Sequence, residues 1–230
     1  MSFFIKSKKG KKELPVPLNS YSQCGEDLLV DYIFKLRGIE RPSYLDIGAH
    51  DPYYLSNTAL FYQRGSRGIN IEANPTLIPK FQEHRAEDIN LNVGLGKAKG
   101  LMDFYVMQDS TLSTFSKNEC KKMDAYGKEV REVVKINLTT INQILIKYCK
   151  NIFPDFLTID VEGMDFEILQ TIDFSKSYPK VMCVEAAEYS PIGTGKRRNE
   201  LITFLEEHGY HEYANTNLNA IMVKNEFWFT

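Results

Sequence analysis

No apolar run in this 230-residue chain approaches the roughly 20 residues that cross a bilayer, so a membrane-spanning helix is not expected. An excess of either charge is also missing. Lys and Arg number 28 against 30 Asp and Glu, a formal net charge of −2, which gives no reason to expect a nucleic acid partner. The four cysteines, Cys24, Cys120, Cys149 and Cys183, stand far apart without a C-x-x-C pair, which argues against a structural zinc site. The opening MSFFIKSKKGKKE is basic but has no apolar stretch long enough for an export signal. The thiols are therefore expected to be reduced in a cytoplasmic protein, with Cys183 in the core. Residues 1 to 20 read as a mobile basic arm, with a membrane-surface or acidic-partner contact as an open alternative. Residues 21 to 230 read as a single domain of ordinary globular composition, 43% apolar and 25% charged.

Glycine-rich phosphate loops are absent too: neither G-x-G-x-x-G nor G-x-x-x-x-G-K occurs. What is present is an alternation of short apolar runs with helical spacings. CGEDLLVDYIFKL (24 to 36) has helical periodicity, SYLDIGA (43 to 49) is strand-like, and Ser56 to Arg64 is helix-compatible. RGINIEAN (67 to 74) is a second strand, TLIPKFQEHR a helix with Pro79 in or near its first turn, and INLNVGL (89 to 95) a third strand. GLGKAKG (94 to 100) reads as a turn. GLMDFYVM and VVKINLT are further strands, separated by a polar span, QDSTLSTFSKNE, expected to add little core. A helix capped by Thr139 or Thr140 runs to Tyr148. DFLTIDVEG, MDFEILQTI, KVMCVEAAE and a helix near 197 to 208 follow, and two strand-like runs, YHEYANT and AIMVKN, end the chain. Such alternation predicts an α/β, three-layer sandwich around a mostly parallel sheet.

Four of these strands end in acids: Asp46, Glu72, Asp160 and Glu185. In open α/β sheets, ligands bind outside the carboxyl ends of the strands, so the four acids point to one cleft. A diphosphate prefers backbone amides and avoids carboxylates, and the first turn offers only Gly48. S-adenosylmethionine, with a cation and ribose hydroxyls but no phosphate, fits better. Glu72 follows Asp46 at close to the spacing, about 20 residues, at which an acid meets ribose hydroxyls. Gly48 would let backbone approach the methionine portion, and Asp46 would face its amino group.

YSQCGEDLLV, YLDIGAHDP, SNT, GINIEANP, DFLTIDVEGMDFEIL and VMCVEAAEYS, in this order, resemble the FkbM family of S-adenosylmethionine-dependent O-methyltransferases. The resemblance implies a class I, Rossmann-like methyltransferase fold and methylation of hydroxyls on sugars or polyketide-like products. It implies a first cofactor motif at Asp46, Gly48, Ala49 and His50, and a second at Ser56, Asn57 and Thr58. It further implies a ribose turn at Glu72 and Asn74, an adenine edge at Asn92 and Val93, and an acidic motif at Asp160, Glu162 and Gly163. Gly94 departs from the family pattern, where alanine is common.

Methyl transfer must align donor and acceptor and remove a proton. Asp160 and Glu185, with Glu162 and Glu188 nearby, are candidate ligands for Mg2+ or Mn2+. In the alternative the acids bind sugar hydroxyls directly, while His50 or a carboxylate is the base. Acceptor contacts are assigned to Tyr21, Gln23, Glu26, Asp27, Ser113, Thr114, Glu188 and Lys196. Lys196, Arg197 and Arg198 belong to a flap whose cations would meet an anionic group of the acceptor. Expected partners are a saccharide or nucleotide-sugar acceptor, with a homo-oligomer left open. The competing readings are a nucleotide-sugar oxidoreductase or epimerase and an inactive methyltransferase-like scaffold.

Overall fold

The computed structural model describes residues 19 to 190, 192 and 194 to 230, so nearly all of the expected basic arm lies outside the described residues. The main sheet contains β1 (Tyr44–Ile47), β2 (Gly68–Ile71), β3 (Ile89–Leu91), β7 (Phe156–Ile159), β8 (Val181–Glu185), β9 (Tyr210–Asn215) and β10 (Asn219–Lys224). Its spatial order is β3-β2-β1-β7-β8-β10-β9. Contacts among the first five are parallel, and β10 runs antiparallel to both its neighbours. This mostly parallel α/β sheet is the predicted class I methyltransferase architecture. A second sheet holds β4 (Gly94–Leu95), β6 (Val130–Thr139) and β5 (Gly100–Met107), in that order.

The helices are α1 (Glu26–Leu36), α2 (Ala59–Gln63), α3 (Ile78–His84), α4 (Lys117–Asp124), α5 (Ile141–Tyr148), α6 (Asp165–Leu169), α7 (Asn199–Glu207) and α8 (Asn225–Phe229). Side chains alternate across each strand, so both sheet faces are covered. Leu45, Ile47, Leu157, Ile159, Met182 and Val184 pack with α5, α6 and α7. Tyr44, Phe156, Val181 and Cys183 face the other way, toward α1, Phe61 of α2 and Phe227 and Trp228 of α8. Cys183 is thus in the core, and all four thiols are free.

Three expectations about elements are corrected. The run 89 to 95 is two strands, because β3 ends at Leu91 and β4 pairs with β6 in the second sheet. The polar span after β5 does supply core: Leu112 and Phe115 are buried, and Cys120 and Met123 just beyond it are buried too, around a 3-10 turn (Ser110–Leu112) and α4. Its apolar residues are few but all turn inward, with Phe115 packed on Phe104 at 4.7 Å between ring centroids. Past the last strand, α8 was not anticipated; it adds Phe227 and Trp228 to the α1 face.

Leu157 is fully buried at the centre of the sheet. Leu157→Ala is expected to lower stability by about 2–5 kcal/mol, read from the urea unfolding midpoint with an unchanged slope.

Candidate functional site

The switch in strand order falls between β1 and β7, and the cleft lies outside their carboxyl ends. There the turn after β1 is pressed against the turn after β7. Gly48 has φ +82°, and a Cβ at this position would stand 1.8 Å from the Asp160 carbonyl oxygen. The neighbouring backbone by itself demands a glycine here. His50 (φ 52°) and Glu162 (φ 53°), one on each turn, also take the left-handed conformation that side chains disfavour. Both are held there. The His50 amide donates to Glu72 Oε2 at 2.7 Å, and Thr114 Oγ1 donates to the Glu162 carbonyl at 2.7 Å.

Two cavities adjoin at this junction. The larger, about 240 Å³, is walled by Asp46, Asn57, Asp160, Glu162, Glu185 and Glu188, with Gln23, Ala49, Ser56 and Asn219 also on its lining. The smaller, about 50 Å³, is an apolar slot between Val93, Leu95, Phe104 and Phe115, with Glu72 and Ser113 on its rim. Gly48, His50, Asp160 and Glu162 belong to both.

The electrostatics of the larger cavity are those of crowded, poorly hydrated carboxylates. Oxygens of Asp160, Glu162 and Glu185 lie within 4.8 Å of one another. Asp160 opens to the cleft mouth, but loss of hydration and the neighbouring Asp165 push its carboxyl up to about 7. Burial, reinforced by Asp160, raises Glu162 and Glu185 well above the usual carboxylate range. Burial likewise takes Asp46 to about 6 and Glu72 to about 7. Arg198 offsets the acids on the β8 side of the group. Arg198 Nη1 donates to Glu185 Oε2 at 2.8 Å and to the buried Asp165 at 3.3 Å. Asp165 in turn accepts from the Val161 and Gly163 amides, which shapes the turn carrying Glu162.

His50 Nε2 pairs with Ser110 Oγ at 3.0 Å, its Nδ1 is buried without a partner, and burial lowers its pKa. Ser56 Oγ accepts from the Ala59 amide at the start of α2, while Asn57 Nδ2 donates to Thr158 Oγ1 at 3.0 Å. Glu72 accepts from the His50 and Asn74 amides.

Several residues assigned from the sequence lie elsewhere. Asn92 is exposed and donates to the Glu72 and Ala73 carbonyls, outside the slot that Val93 lines. Asn74 is buried and braces Thr76. Glu26 is fully buried and bonds to Asn219, Thr216 and the Cys24 amide; Asp27 gathers Ser20, Ser22 and the Tyr21 amide. Neither acid reaches the cavity lining, and Tyr21 instead packs on Tyr53. Thr114 is buried behind Glu162. Glu188 lines the cavity but stands outside the close group of three carboxylates, where Glu162 takes its place. In the flap, Lys196 is exposed, Arg197 pairs with Glu212 and Arg198 with Glu185. Two of its three cations are thus spent inside the protein.

Sequence reasoning also missed Asp165, the 3-10 turn and Arg85. The signal for Arg198 was present in KRR, but spacing alone does not tell which of three adjacent cations turns inward.

The sequence profile described as "Methyltransferase FkbM domain" matches residues 46–212. A search of curated proteins returned no match. Among solved structures, an FkbM methyltransferase from Methylobacillus flagellatus aligns at 14% identity and TM-score 0.44, over 79% of this chain and 42% of that one. This chain therefore spans about two fifths of that protein's length. A putative caffeoyl-CoA O-methyltransferase from Staphylococcus aureus aligns at 12% identity and TM-score 0.46, over 91% and 86%. A precorrin-6y C5,15-methyltransferase from Geobacter metallireducens aligns at 14% identity and TM-score 0.40, over 79% of each chain.

The raised acids make stability depend on pH in an unusual direction. Asp46, Glu72, Asp160, Glu162 and Glu185 all have folded pKa values above their unfolded ones. The folded state therefore binds more protons, and the stability these acids contribute is lost as pH rises through the folded values. His50, lowered, opposes this only below its unfolded value near 6.5. The melting temperature of the ligand-free protein is expected to fall between pH 6 and pH 8, as read by calorimetry.

Proposed function

The chain belongs to the FkbM methyltransferase family, and from that premise we propose that it transfers a methyl group from S-adenosylmethionine to a hydroxyl of a saccharide or related polyhydroxylated product. Residues 21 to 230 serve as one methyltransferase domain in this reading. Four free cysteines suit a reducing cytoplasm. Among the described residues, no helix is long and apolar enough to cross a membrane.

The observation that carries the reading is the junction of an apolar slot with an acidic cavity at Gly48 and Asp160. The slot suits a flat heterocycle between Phe104, Phe115, Val93 and Leu95. Both Glu72 oxygens already accept one amide hydrogen, and each keeps a lone pair for a ribose hydroxyl. The partnerless His50 Nδ1 is a further polar atom to be met at the same junction. Asp46 suits the ammonium group of the methionine portion. A diphosphate would meet these carboxylates with no Lys or Arg on either cavity lining among the described residues, which disfavours a dinucleotide cofactor.

When bound, the sulfonium supplies an electrophilic methyl carbon. Asp160 would take the proton that the acceptor hydroxyl releases as its oxygen gains the methyl group. With a pKa near 7, Asp160 is matched to accepting and releasing a proton at neutral pH. Glu162, Glu185 and Glu188 accept hydrogen bonds from the other acceptor hydroxyls and orient them. Because Arg197 and Arg198 are engaged, the cavity suits a neutral saccharide better than a nucleotide-linked one.

A metal-assisted version draws on the same three carboxylates, whose close oxygens fit a hard divalent cation, Mg2+ or Mn2+. Asp160, Glu162 and Glu185 would hold it, and it would acidify the acceptor hydroxyl.

Calorimetric titration is expected to show binding of S-adenosylmethionine and S-adenosylhomocysteine but not NAD. Binding of NAD alone would instead favour an oxidoreductase or epimerase. Incubation with a panel of neutral saccharides should yield a product heavier by one methyl group; cofactor binding without any such product would support the scaffold reading. With that acceptor, Asp160→Asn should lower kcat at least about a hundredfold while S-adenosylhomocysteine affinity stays within a few-fold. Unchanged turnover after exhaustive chelation, with no stimulation by added Mg2+ or Mn2+, removes the metal version.

A further inference from the structure

Behind Asp46 lies a buried ionic cluster that neither the resemblance nor the cavity walls reveal. Arg85 is 0% exposed, an uncommon state for a cation. Its Nε donates to Asp88 Oδ2 at 2.9 Å, and one terminal nitrogen, Nη2, donates to the Tyr44 hydroxyl at 2.8 Å. The Tyr44 hydroxyl donates to Asp88, which also accepts from the Gly68 amide and Asn70 Nδ2. The remaining terminal nitrogen, Nη1, donates to Thr58 Oγ1 at 3.0 Å, and Thr58 Oγ1 donates to Asp46 Oδ2 at 2.6 Å.

A guanidinium has donors only, so Thr58 must accept from Arg85. Its single hydroxyl proton has Asp46 Oδ2 as the near acceptor at 2.6 Å, with Ser56 Oγ farther off at 3.5 Å. Asp46 lines the cavity, and its Oδ1 has no donor among the described residues. One oxygen is thus held from behind while the carboxylate keeps capacity toward the cleft.

The geometry points to Arg85 and Thr58 as positioning residues that hold Asp46 as an oriented, ionised carboxylate for the cationic amino-acid end of the cofactor. This rests on the assignment of Asp46 to that end. The charge balance agrees. Asp46 is 5% exposed, and burial raises its pKa while Arg85, then Thr58, lower it. Among the other titratable groups around it, Asp88 beyond Arg85 works against ionisation, while Asp46 itself raises Glu72 after β2, Asp160 after β7 and Cys183 on β8. Within this surround, Arg85 is the cation that favours the carboxylate form of Asp46.

Arg85→Met would strand Asp88 in the interior and risks unfolding, so the decisive variant is Thr58→Val. It keeps the shape and the contacts among Arg85, Asp88 and Tyr44, and removes the hydrogen bonds of Thr58 Oγ1 to Arg85 Nη1 and Asp46 Oδ2. Two readouts apply: the Asp46 carboxyl carbon followed by NMR against pH in the ligand-free protein, and calorimetric affinity for S-adenosylmethionine between pH 6 and pH 9. In Thr58→Val the Asp46 titration is expected to move to higher pH. Affinity at pH 7 should fall about tenfold and recover as pH rises. Thr58→Ser, which restores the hydroxyl, should behave as wild type. A folded Thr58→Val protein whose Asp46 titrates and binds as in the wild type overturns the relay. Wild-type protein that binds no S-adenosylmethionine overturns the cofactor assignment instead, and the NMR shift still decides the relay.

Discussion

The close approach of two backbone turns, Gly48 against the Asp160 carbonyl, is the constraint on which this protein is built. A side chain at Gly48 would separate β1 from β7 where the strand order reverses. That separation would open the only edge at which acids from both halves of the sheet converge among the described residues. The two left-handed residues flanking the contact, His50 and Glu162, are consequences of it. Each turn must curl sharply to make the approach, and each is then pinned by a hydrogen bond from a different layer of the molecule.

Converging carboxylates create a charge problem, and the fold answers it from two sides. Arg85 lies under β1 with Thr58 between it and Asp46, while Arg198 lies beyond β8 between Glu185 and Asp165. Neither guanidinium lines the cavity. The cleft surface is therefore acidic while its foundation is cationic. This arrangement keeps the negative groups available to a ligand without leaving them uncompensated in a poorly hydrated interior.

The main sheet was legible because its strands are short, apolar and separated by helical spacings, and the acids at their ends could be placed before any coordinates. The second sheet was not. Splitting β3 from β4 depends on β6, some forty residues later, and pairing across that distance leaves no local periodicity. Asp46, Glu72, Asp160 and Glu162 were found as cleft residues, whereas the backbone contact at Gly48 was not foreseen, since a backbone neighbour and a ligand make the same demand on a glycine. Arg85 escaped because a buried cation looks in sequence like any surface one. Glu26 and Asp27 misled in the opposite sense: acids at a helix start can cap, anchor or bind, and here they anchor.

One consequence of the reversed strand concerns how such a protein can diversify. Because β10 runs against β8, its beginning reaches the cleft, and Leu218 and Asn219 enter the cavity wall from the hairpin that joins β9 to β10. The parallel strands are tied to one another by register, so a change in any of their turns disturbs a neighbour. The β9–β10 hairpin is anchored away from the slot: Thr216 and Asn219 bond to Glu26 at the start of α1, and the Leu218 carbonyl accepts from the Ala186 amide. Lengthening the hairpin or changing its composition would reshape the larger cavity while leaving the slot untouched. The topology thus separates the part of the cleft that must stay the same from a part free to vary.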